Sequence, residues 1–367
     1  MLTYSHIKEA ARIFRRARHV NKNGFRQFKG SPQHICRSII KECYNGQFFQ
    51  TSLGHFSQFY SRDFGFCAEA LVKLGYKKEV KDTLEYALSI FSKHNTIATT
   101  ITPEEKPIQI FDYSPDSLPL ILRSIRVLND KNLVKKYNRF LEEKAIEYFN
   151  TVFDTKTGLV RSDRNFSSIK DNAKRKSACY DNCMMAMLSK ELNALGLSNP
   201  FKDFNLKANI KKNFWNEKFF LDDMSGKVYL AGDAQVYPFW CGVFDEKDIF
   251  DKALWSLQNV GLDMPLPLKY TIDSKNTELI FPLNLVLGDY ETNTIWLHLG
   301  LCYMDVVKRF APEQLDKYIS SYDELVAEHK TFPEILEPDS TLYKRFHYVS
   351  DEGMLWASKL LHLKQKS

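Results

Sequence analysis

The chain has 367 residues and a formal net charge of +6 at pH 7, with 44% hydrophobic and 14% aromatic side chains. This is enough apolar material for one large core or two smaller ones. Eight Lys and Arg residues and one Glu fall within residues 1–30, so the other 337 residues together carry a charge of −1. Because the positive charge is confined to one terminal segment, the main body is not expected to bind nucleic acid. No run approaches the ~20 apolar residues of a membrane span, so no membrane partner is expected either.

The cysteines bear on compartment and metal binding. Their number is odd, and they form no Cys-x-x-Cys pair and no Cys/His cluster. We interpret them as reduced, mostly buried thiols of a cytoplasmic protein. Two of them could face one another on a helix, but no second pair completes a metal site. We therefore expect no metal and no organic cofactor. The seven cysteines are Cys36, Cys43, Cys67, Cys179, Cys183, Cys241 and Cys302.

The N-terminal segment is distinct from the rest of the chain. Residues 3–20 predict an amphipathic basic helix, and residues 21–30 predict a loop. An Arg-rich, acid-poor helix faintly resembles a transit peptide, but we expect segment 1–30 to pack on the surface of the main domain. No linker rich in Pro, Gly or Ser divides the remainder, so residues 31–367 predict a single domain.

From residue 32 onward, one pattern occurs six times. An amphipathic helix, rich in Lys and Glu on one face, is followed by a connection and then by a helix that is apolar nearly throughout. Sequence identity between the repeats is low, so the repeat is one of architecture. The predicted pairs are 32–44 with 63–74, 78–94 with 115–128, 132–150 with 180–195, 205–215 with 233–244, 246–260 with 293–310, and 312–329 with 351–363.

Six such pairs predict an all-α, closed (α/α)6 toroid, with the apolar helices as an inner ring behind the amphipathic ones. The long connections run from an outer helix to an inner one, as in 95–114, 151–179 and 261–292. They should gather at the N-terminal ends of the inner helices and build a cleft there. Strands are expected only as short hairpin arms, at 227–230, 270–272 or 279–281.

Acidic and polar residues stand where the inner helices begin. Asp, Asn and Ser are favoured helix N-caps, which accounts for Asp233 and Asp351 without any further function. Helix capping accounts less well for Arg62, for Glu334 and for the aromatic residues nearby. Carboxylates transfer protons and bind hydroxyl groups, and flat rings stack on sugar rings, so this end of the toroid predicts a carbohydrate site. The aromatic residues are Tyr113, Tyr180, Tyr237, Tyr290, Trp240 and Trp296.

Several short motifs, taken in order along residues 30–363, resemble the six-hairpin (α/α)6-barrel glycosidases. This superfamily includes glucoamylases, trehalases, the glycogen-debranching glucosidase and neutral invertases. The order and spacing of the motifs carry the resemblance, since each motif alone is short. They are Arg62-Asp63-Phe64, Asp154-Thr155-Lys156-Thr157-Gly158-Leu159-Val160, Tyr180-Asp181-Asn182, Thr294-Ile295-Trp296 and Thr331-Phe332-Pro333-Glu334.

The resemblance implies roles for individual residues. An arginine–aspartate pair that holds the terminal sugar corresponds to Arg62 and Asp63. The general acid at the third inner helix corresponds to Asp181, and the general base in the last long connection corresponds to Glu334. Neutral invertases use an acid at the second inner helix, so Asp116 is an alternative general acid. The chain lacks the paired glutamates of glucoamylases at the third inner helix and an evident extra β-domain, which leaves the substrate open.

Local sequence favours Asp181 over Asp116 as the proton donor. Asp181 has the apolar neighbours Cys179 and Met184, which would raise its pKa by desolvation. Asp116 lies between Ser114 and Ser117, whose hydroxyls would hydrogen-bond a carboxylate and keep it ionised.

The sequence as a whole predicts an inverting, exo-acting glycoside hydrolase that acts on a small glucoside or oligosaccharide, in the manner of an α-glucosidase. The acid and the base of an inverting enzyme should stand about 6.5–9.5 Å apart. The expected catalytic residues are Asp181, Glu334 and Asp116. The expected substrate-binding residues are Arg62, Asp63, Tyr60, Tyr113, Tyr180, Asn182, Trp240, Trp296 and Glu337.

Three other functions remain open on the same toroid. A sugar isomerase or epimerase would use histidines as proton shuttles, and the candidates are His55, His298 and His347. A polysaccharide lyase would need Tyr or His bases in a basic cleft. The third alternative is a carbohydrate-binding protein without catalysis. The sequence leaves the sugar, its linkage and the oligomeric state undetermined.

Overall fold

The structure of the protein is a computed structural model, which describes residues 4–281 and 288–365. The described residues contain thirteen α-helices, which we number α1 to α13 in chain order. They are α1 (Tyr4–Asn23), α2 (Pro32–Cys43), α3 (Ser61–Lys73), α4 (Lys77–Lys93), α5 (Ser117–Leu128), α6 (Lys131–Val152), α7 (Cys179–Leu195), α8 (Leu206–Phe214), α9 (Gly232–Trp240), α10 (Lys247–Asn259), α11 (Leu297–Phe310), α12 (Leu315–His329) and α13 (Ala357–Leu363).

Twelve of these helices form the predicted toroid. The inner helices α3, α5, α7, α9, α11 and α13 pack side by side in that order, and α13 closes the ring against α3. The outer helices α2, α4, α6, α8, α10 and α12 alternate with them along the chain and pack on the outside of the ring. The (α/α)6 fold class is therefore confirmed, because the apolar inner helices are buried on all sides as their composition predicts.

Backbone capping explains where several helices begin and end. The Ser31 hydroxyl accepts a hydrogen bond from the His34 amide, and Pro32 occupies the first turn of α2. Asp130 caps α6 through the amides of residues 132 and 133. Asn129 and Gly196 end α5 and α7 in the left-handed region, with φ of 55° and 68°. These signals are local, since each lies within a few residues of the boundary that it sets.

Close packing between neighbouring inner helices depends on one glycine in particular. A Cβ atom added at Gly65 in α3 would lie 2.5 Å from Cβ of Leu120 in α5. The two helices therefore approach closely only because residue 65 has no side chain. Both contact faces are buried and almost wholly apolar.

Three predicted inner helices are shorter than expected, and the one expected over 293–310 begins only at Leu297. The helix expected over 233–244 ends at Trp240, where Pro238 precedes a turn that includes Gly242 at φ 63°. The helix expected over 351–363 begins only at Ala357. Residues 351–356 instead run in irregular structure across the end of the ring.

The strands are short and tie the long connections together at the N-terminal ends of the inner helices. They pair as β1 (Phe59–Tyr60) with β2 (Thr100–Ile101) and β2 with β3 (Pro107–Ile108), β4 (Phe153–Asp154) with β5 (Leu159–Val160), and β6 (Ile295–Trp296) with β7 (Ile335–Leu336); all are antiparallel. The hairpin arms expected at 227–230, 270–272 and 279–281 do not form strands; isolated bridges involve Leu230, Lys269 and Leu279 instead.

Helix α1 lies on these connections. His6 in α1 contacts the backbone oxygen of Gln109 at 2.8 Å, Arg12 donates to Gln58 at 3.2 Å, and Arg16 pairs with the buried Glu352. A small apolar cluster of Ala17, Val20 and Val349 lies beneath it. The basic helix thus packs at the same end of the toroid as the predicted cleft. Among the described residues, no helix combines the length and the apolarity needed to cross a membrane.

Candidate active site

The inner helices bring buried acids together at the N-terminal end of the ring. Asp63 and Asp181 lie in the first turns of α3 and α7, and Asp116 immediately precedes α5. Glu334 comes from a distant part of the chain, because pairing of β7 with β6 places it beside the start of α11. The Leu297 amide donates to the backbone oxygen of Glu334 at 3.2 Å. The pairing of β6 with β7 thus brings Glu334 to the end of the ring where the inner helices place Asp63, Asp116 and Asp181.

These acids do not serve as helix caps. In none of the six inner helices does the side chain of the N-cap residue accept a helix amide. The interpretation of Asp233 and Asp351 as caps is wrong. Asp233 pairs with Lys170 at 2.9 Å, and Asp351 accepts the amides of His55 and Phe56 at 2.9 and 3.0 Å. Buried carboxylates that cap nothing need another reason to be at this end of the ring.

Arg62 is the centre of the charge network. Its Nε donates to Asp116 at 2.6 Å, and its two terminal nitrogens donate to Asp171 at 3.0 and 3.2 Å. Asp116 also accepts hydrogen bonds from Ser114 at 2.7 Å and from Tyr180 at 2.9 Å. The Arg62 and Asp171 side chains remain 12% and 17% exposed, so the network reaches solvent on this side. Arg62 therefore holds the 161–178 connection to the start of α5.

Asp63 lies beside Arg62 but has a different partner. Its Oδ1 accepts a hydrogen bond from the indole nitrogen of Trp356 at 2.9 Å. Burial raises the pKa of Asp63 to about 6, and the positive charge of Arg62 opposes the rise. The expected Arg62–Asp63 pair is thus two neighbouring groups, each with its own partner, rather than a direct ion pair.

Asp181 has the features of a proton donor. Its Oδ1 is buried and has no hydrogen-bond partner among the described residues. Burial raises the pKa of Asp181 to about 7; Arg175 opposes this rise, and the nearby Asp116 carboxylate adds to it. A carboxyl that is half-protonated near neutral pH is able to act as a general acid.

Glu334 is held by a phenol and a backbone amide. The Tyr348 hydroxyl lies 2.8 and 2.7 Å from its two oxygens, and the Asp351 amide donates to Oε2 at 3.0 Å. Burial and the Asp351 charge raise the pKa of Glu334 to about 8. Tyr348 in turn stacks on Tyr290, with ring centroids 5.2 Å apart. The carboxyl is therefore fixed in one orientation by groups that favour its ionised form.

A second cluster of charges lies on the 161–178 connection and was missed by sequence reasoning. Lys170 and Arg175 contact Asp222 and Asp233, with Lys170 3.1 and 2.9 Å from the two carboxylates. All four side chains are buried. The Tyr229 hydroxyl also donates to Asp222, at 2.5 Å. The available signal was the polar run 170–176 inside a long connection, which no helical pattern explains.

Glu291 is another residue that the prediction omitted. Its two oxygens accept the amides of Asp171 and Asn172 at 2.7 and 2.6 Å. Burial, with a contribution from Asp171, raises the pKa of Glu291 to about 8. Through these amides Glu291 fixes the backbone that carries the Arg62 partner. An acid just before the fifth inner helix was visible in the sequence, but its backbone partners, 120 and 119 residues away, were not.

Aromatic side chains surround the acids. Trp296 donates its indole N–H to the Tyr290 backbone oxygen at 2.7 Å, and its ring lies 5.2 Å from His298. His298 lies 4.8 Å from Trp356, and neither of its ring nitrogens has a partner among the described residues. The site thus combines flat apolar walls with an unpaired imidazole. Burial lowers the pKa of His298 well below its usual range, so the ring is neutral.

The structure does not bring all of the predicted substrate-binding residues to this site. Trp240 is wrong: it ends α9, at the opposite end of the inner ring, where its indole donates to Asp305 at 3.0 Å. Asn182 is committed to the backbone, because its Oδ1 accepts the Val160 amide at 2.9 Å and its Nδ2 donates to Ala178. An amide with these partners holds β5 against α7 and is not available to a sugar.

Three further predicted residues lie at the margin. Tyr60 contacts Gln58 at 3.2 Å, beneath helix α1. The Tyr113 ring packs edge-to-face on Tyr148 of the outer helix α6, with centroids 6.2 Å apart. Glu337 pairs with Arg345 on a partly exposed loop. Their side chains therefore contact neighbouring loops or helices and take no part in the hydrogen-bond network around Arg62.

No protein-family model and no curated protein matches the sequence. Solved structures do match it across nearly the whole chain. A glycosidase solved as a point variant aligns with a TM-score of 0.63 at 10% identity, covering 99% of this chain and 98% of its own. The GH63 mannosylglycerate hydrolase from Thermus thermophilus aligns at 0.62 with 11% identity, covering 90% and 99%. A rhamnosidase from Klebsiella oxytoca aligns at 0.62 with 11% identity, covering 92% of this chain and 64% of that one. The chain thus has the (α/α)6 fold of these glycosidases.

Proposed function

We propose that this protein is an inverting, exo-acting glycoside hydrolase with Asp181 as the general acid and Glu334 as the general base. The observation that carries the proposal is the pair of buried carboxyls at the N-terminal end of the inner ring. One has an unpartnered oxygen among the described residues, and the other is oriented by Tyr348. The fold shared with solved glycosidases supports the same reaction class.

The reaction follows from these two roles. Asp181 gives its proton to the glycosidic oxygen as the bond to the anomeric carbon breaks. A water on the opposite face of the sugar attacks that carbon, and Glu334 takes the proton that the water loses. The products are an alcohol and a free sugar of inverted anomeric configuration, with one water consumed. Inversion requires the two carboxyls to stand about 6.5–9.5 Å apart, to leave room for this water.

The proposed acid and base both have pKa values near neutral pH, so the reaction depends on which of the two carboxyls carries a proton. The pKa of Asp181 is about 7 and that of Glu334 is about 8. The reactive form has the proton on Asp181, whereas the two pKa values by themselves favour it on Glu334. A bound water or sugar hydroxyl that donates to Glu334 would stabilise its ionised form and move the proton to Asp181.

The remaining groups would hold the terminal sugar. Arg62 uses three of its five N–H groups on Asp116 and Asp171, which leaves two for hydroxyl oxygens. Asp63 keeps one oxygen beyond its bond to Trp356 and would accept from a hydroxyl. Trp296 would form a wall against the ring, and Tyr180 would support Asp116. A small glucoside or oligosaccharide, in the manner of an α-glucosidase, suits such an enclosed polar site.

A screen of aryl glycosides and disaccharides for release of free sugar tests the proposal. Asp181→Asn and Glu334→Gln should each lose turnover of disaccharides by roughly 10²–10⁴-fold. The matched control is Asp263→Asn, a buried carboxyl that accepts from Tyr318 at 2.6 Å, away from the site. Proton NMR of the first product formed distinguishes inversion from retention. Hydrolysis that survives both substitutions would exclude the assigned roles.

The same screen separates the alternatives. Interconversion of free sugars without hydrolysis would indicate an isomerase or epimerase, and an unsaturated product would indicate a lyase. Binding without turnover would indicate a carbohydrate-binding protein. His55 is a poor shuttle, because burial lowers its pKa to about 4 and its Nδ1 lies 3.3 Å from Asp351. We also propose a cytoplasmic location, which the seven unpaired, buried thiols support.

A further inference from the structure

The end of the toroid opposite the candidate active site contains a polar cavity of about 570 Å³. Five of the six inner helices line it in their C-terminal halves or along their lumen faces: α3, α5, α9, α11 and α13. Phe66 separates it from the active-site end, since its ring stacks on His298 at 5.7 Å and also lines the cavity. The cavity is therefore distinct from the carboxylate site described above.

Positive charge is in excess in the walls of this cavity. Five cationic side chains line it against two carboxylates, and the partly buried His362 has its pKa lowered by burial and adds no charge at neutral pH. Lys73, Lys308 and Arg309 lie in the last turns of α3 and α11, where they complement the negative helix ends. Arg123 and Lys359 are different, because they stand away from the ends of α5 and α13 and point into the lumen.

The lumen cations form two ion pairs about one indole. Arg123 donates to Glu69 at 2.6 Å and stacks over the Trp240 ring at 4.4 Å. Lys359 pairs with Asp305, which also accepts from the Trp240 indole at 3.0 Å. The second terminal nitrogen of Arg123 is buried and has no partner among the described residues. A fixed guanidinium with an unused donor, next to three rim cations, is well suited to bind an anion.

From this arrangement we propose that the cavity binds a small anion bearing a phosphate or carboxylate group, with Arg123 as the primary contact. The free Arg123 N–H groups would donate to the anion, and Lys308 and Arg309 would neutralise it from the rim. Trp240 fixes the guanidinium plane and would report occupancy through its fluorescence. The site is independent of the proposed hydrolase activity, since it shares no residue with the carboxylate network.

Binding is tested with inorganic phosphate and citrate, separately, by isothermal titration calorimetry on the full chain. We expect saturable binding of one anion per chain for at least one probe, weakening as salt is added. Arg123→Gln should weaken it about ten-fold or more, the effect of losing a hydrogen bond to a charged group. Preference for phosphate or citrate identifies which anionic group the site selects. The rim variant Lys308→Gln with Arg309→Gln tests the same site at the partly buried and exposed ends of the two rim side chains, outside the lumen.

Two controls locate the signal. Lys252→Gln, an exposed cation on the outer helix α10, should bind the probes as the unaltered chain does. Trp240→Phe should remove any fluorescence change on binding. The proposal is overturned if neither probe shows saturable binding, or if both the Arg123 and the rim variants bind as tightly as the unaltered chain. It is also overturned if Asp63→Asn abolishes binding. The last result would place the anion at the other end of the toroid.

Discussion

At the residue scale, the choice between Asp181 and Asp116 as general acid depends on their hydrogen bonds. Asp116 accepts from Arg62, Ser114 and Tyr180, all of which stabilise a carboxylate. Asp181 has an oxygen without a partner among the described residues and a pKa of about 7. The surroundings of Asp116 thus suit a carboxylate that binds the substrate, whereas those of Asp181 suit a carboxyl that donates a proton.

Substrates with different leaving groups test this choice. Asp181→Asn should retain most activity on glycosyl fluorides or activated aryl glycosides, whose leaving groups need little protonation, while losing disaccharide hydrolysis. Asp116→Asn should impair all substrates alike, because it removes one of the two carboxylates that hold Arg62. Steady-state kinetics on the two substrate classes measure both effects. Selective rescue of Asp116→Asn, with Asp181→Asn inactive on every substrate, would reverse the assignment.

Tyr348 should set the pH profile through Glu334. Its hydroxyl lowers the Glu334 pKa, so Tyr348→Phe should raise that pKa above about 8, by roughly one to two units for a hydrogen bond to a charged group. The limb of the kcat/KM profile that reports Glu334 should move to higher pH by the same amount. Tyr343→Phe, which removes a hydroxyl bonded to Asp289 instead, is the matched control. Identical profiles for the two variants would show that Tyr348 does not tune the base.

At the scale of elements, the 161–178 connection links the Arg62 network to Glu291. Glu291 holds two of its amides, and Arg62 holds the Asp171 carboxylate. Lys170 and Arg175 anchor the same connection to Asp222 and Asp233, so loss of one attachment should open it locally and not as a whole. The connection therefore couples the start of α5 to the segment that precedes α11.

Glu291→Ala should loosen this connection without unfolding the ring. Hydrogen exchange of the Asp171 and Asn172 amides should accelerate about ten-fold or more, since their two hydrogen bonds to the buried Glu291 carboxyl are lost. The KM for the glycoside should rise because Arg62 loses its fixed partner. Glu278→Ala removes an exposed carboxylate that pairs with Lys174 of the same connection, and should leave exchange unchanged. Unaltered exchange in Glu291→Ala would contradict the coupling.

At the scale of the whole molecule, the buried acids oppose stability at alkaline pH. The pKa values of Asp63, Asp181, Glu291 and Glu334 are raised to about 6, 7, 8 and 8 in the folded chain. The folded state therefore holds protons that the unfolded state has released, and the free energy of unfolding should fall as pH rises through these values, from about 6 to about 8. Below about pH 6.5 the buried, neutral His55 and His298 act in the opposite sense. The unfolded state binds protons on these histidines that the folded state does not bind, so they make the free energy of unfolding rise with pH.

Asp181→Asn should stabilise the protein at about pH 8.5 and change it little at about pH 4. At alkaline pH the expected gain in the free energy of unfolding is about 1.4 kcal/mol for each unit by which folding raises the pKa of Asp181. Denaturant unfolding at the two pH values measures the difference. Asp263→Asn, the buried carboxyl outside the site, is the control and should show no such gain. A loss of stability at alkaline pH in Asp181→Asn would show that Asp181 is stabilised as an anion.

Hydrophobic periodicity is a local signal, so the alternation of amphipathic and apolar helices, and with it the ring, could be predicted from the sequence alone. The same signal made three inner helices longer than they are. The sequence also indicated the acids at the inner helix starts, since Asp63, Asp116 and Asp181 lie in short stretches next to those starts. Trp240 was misplaced because helix α9 is only nine residues long, so that a residue near its start by sequence lies at the far end of the ring.

Which groups these residues contact follows from the folded chain and not from any local pattern. The pairing of β6 with β7 brings Glu334 to the ring, and Arg62 meets Asp171 across 109 residues of chain. Glu291 binds backbone amides, and because almost every residue has such an amide, the sequence gives no sign of this contact. Burial, which raises the pKa of Asp181 and Glu334, is a property of the closed toroid and of no single segment. Chemistry at the site therefore depends on long-range contacts, whereas the fold depends on local periodicity.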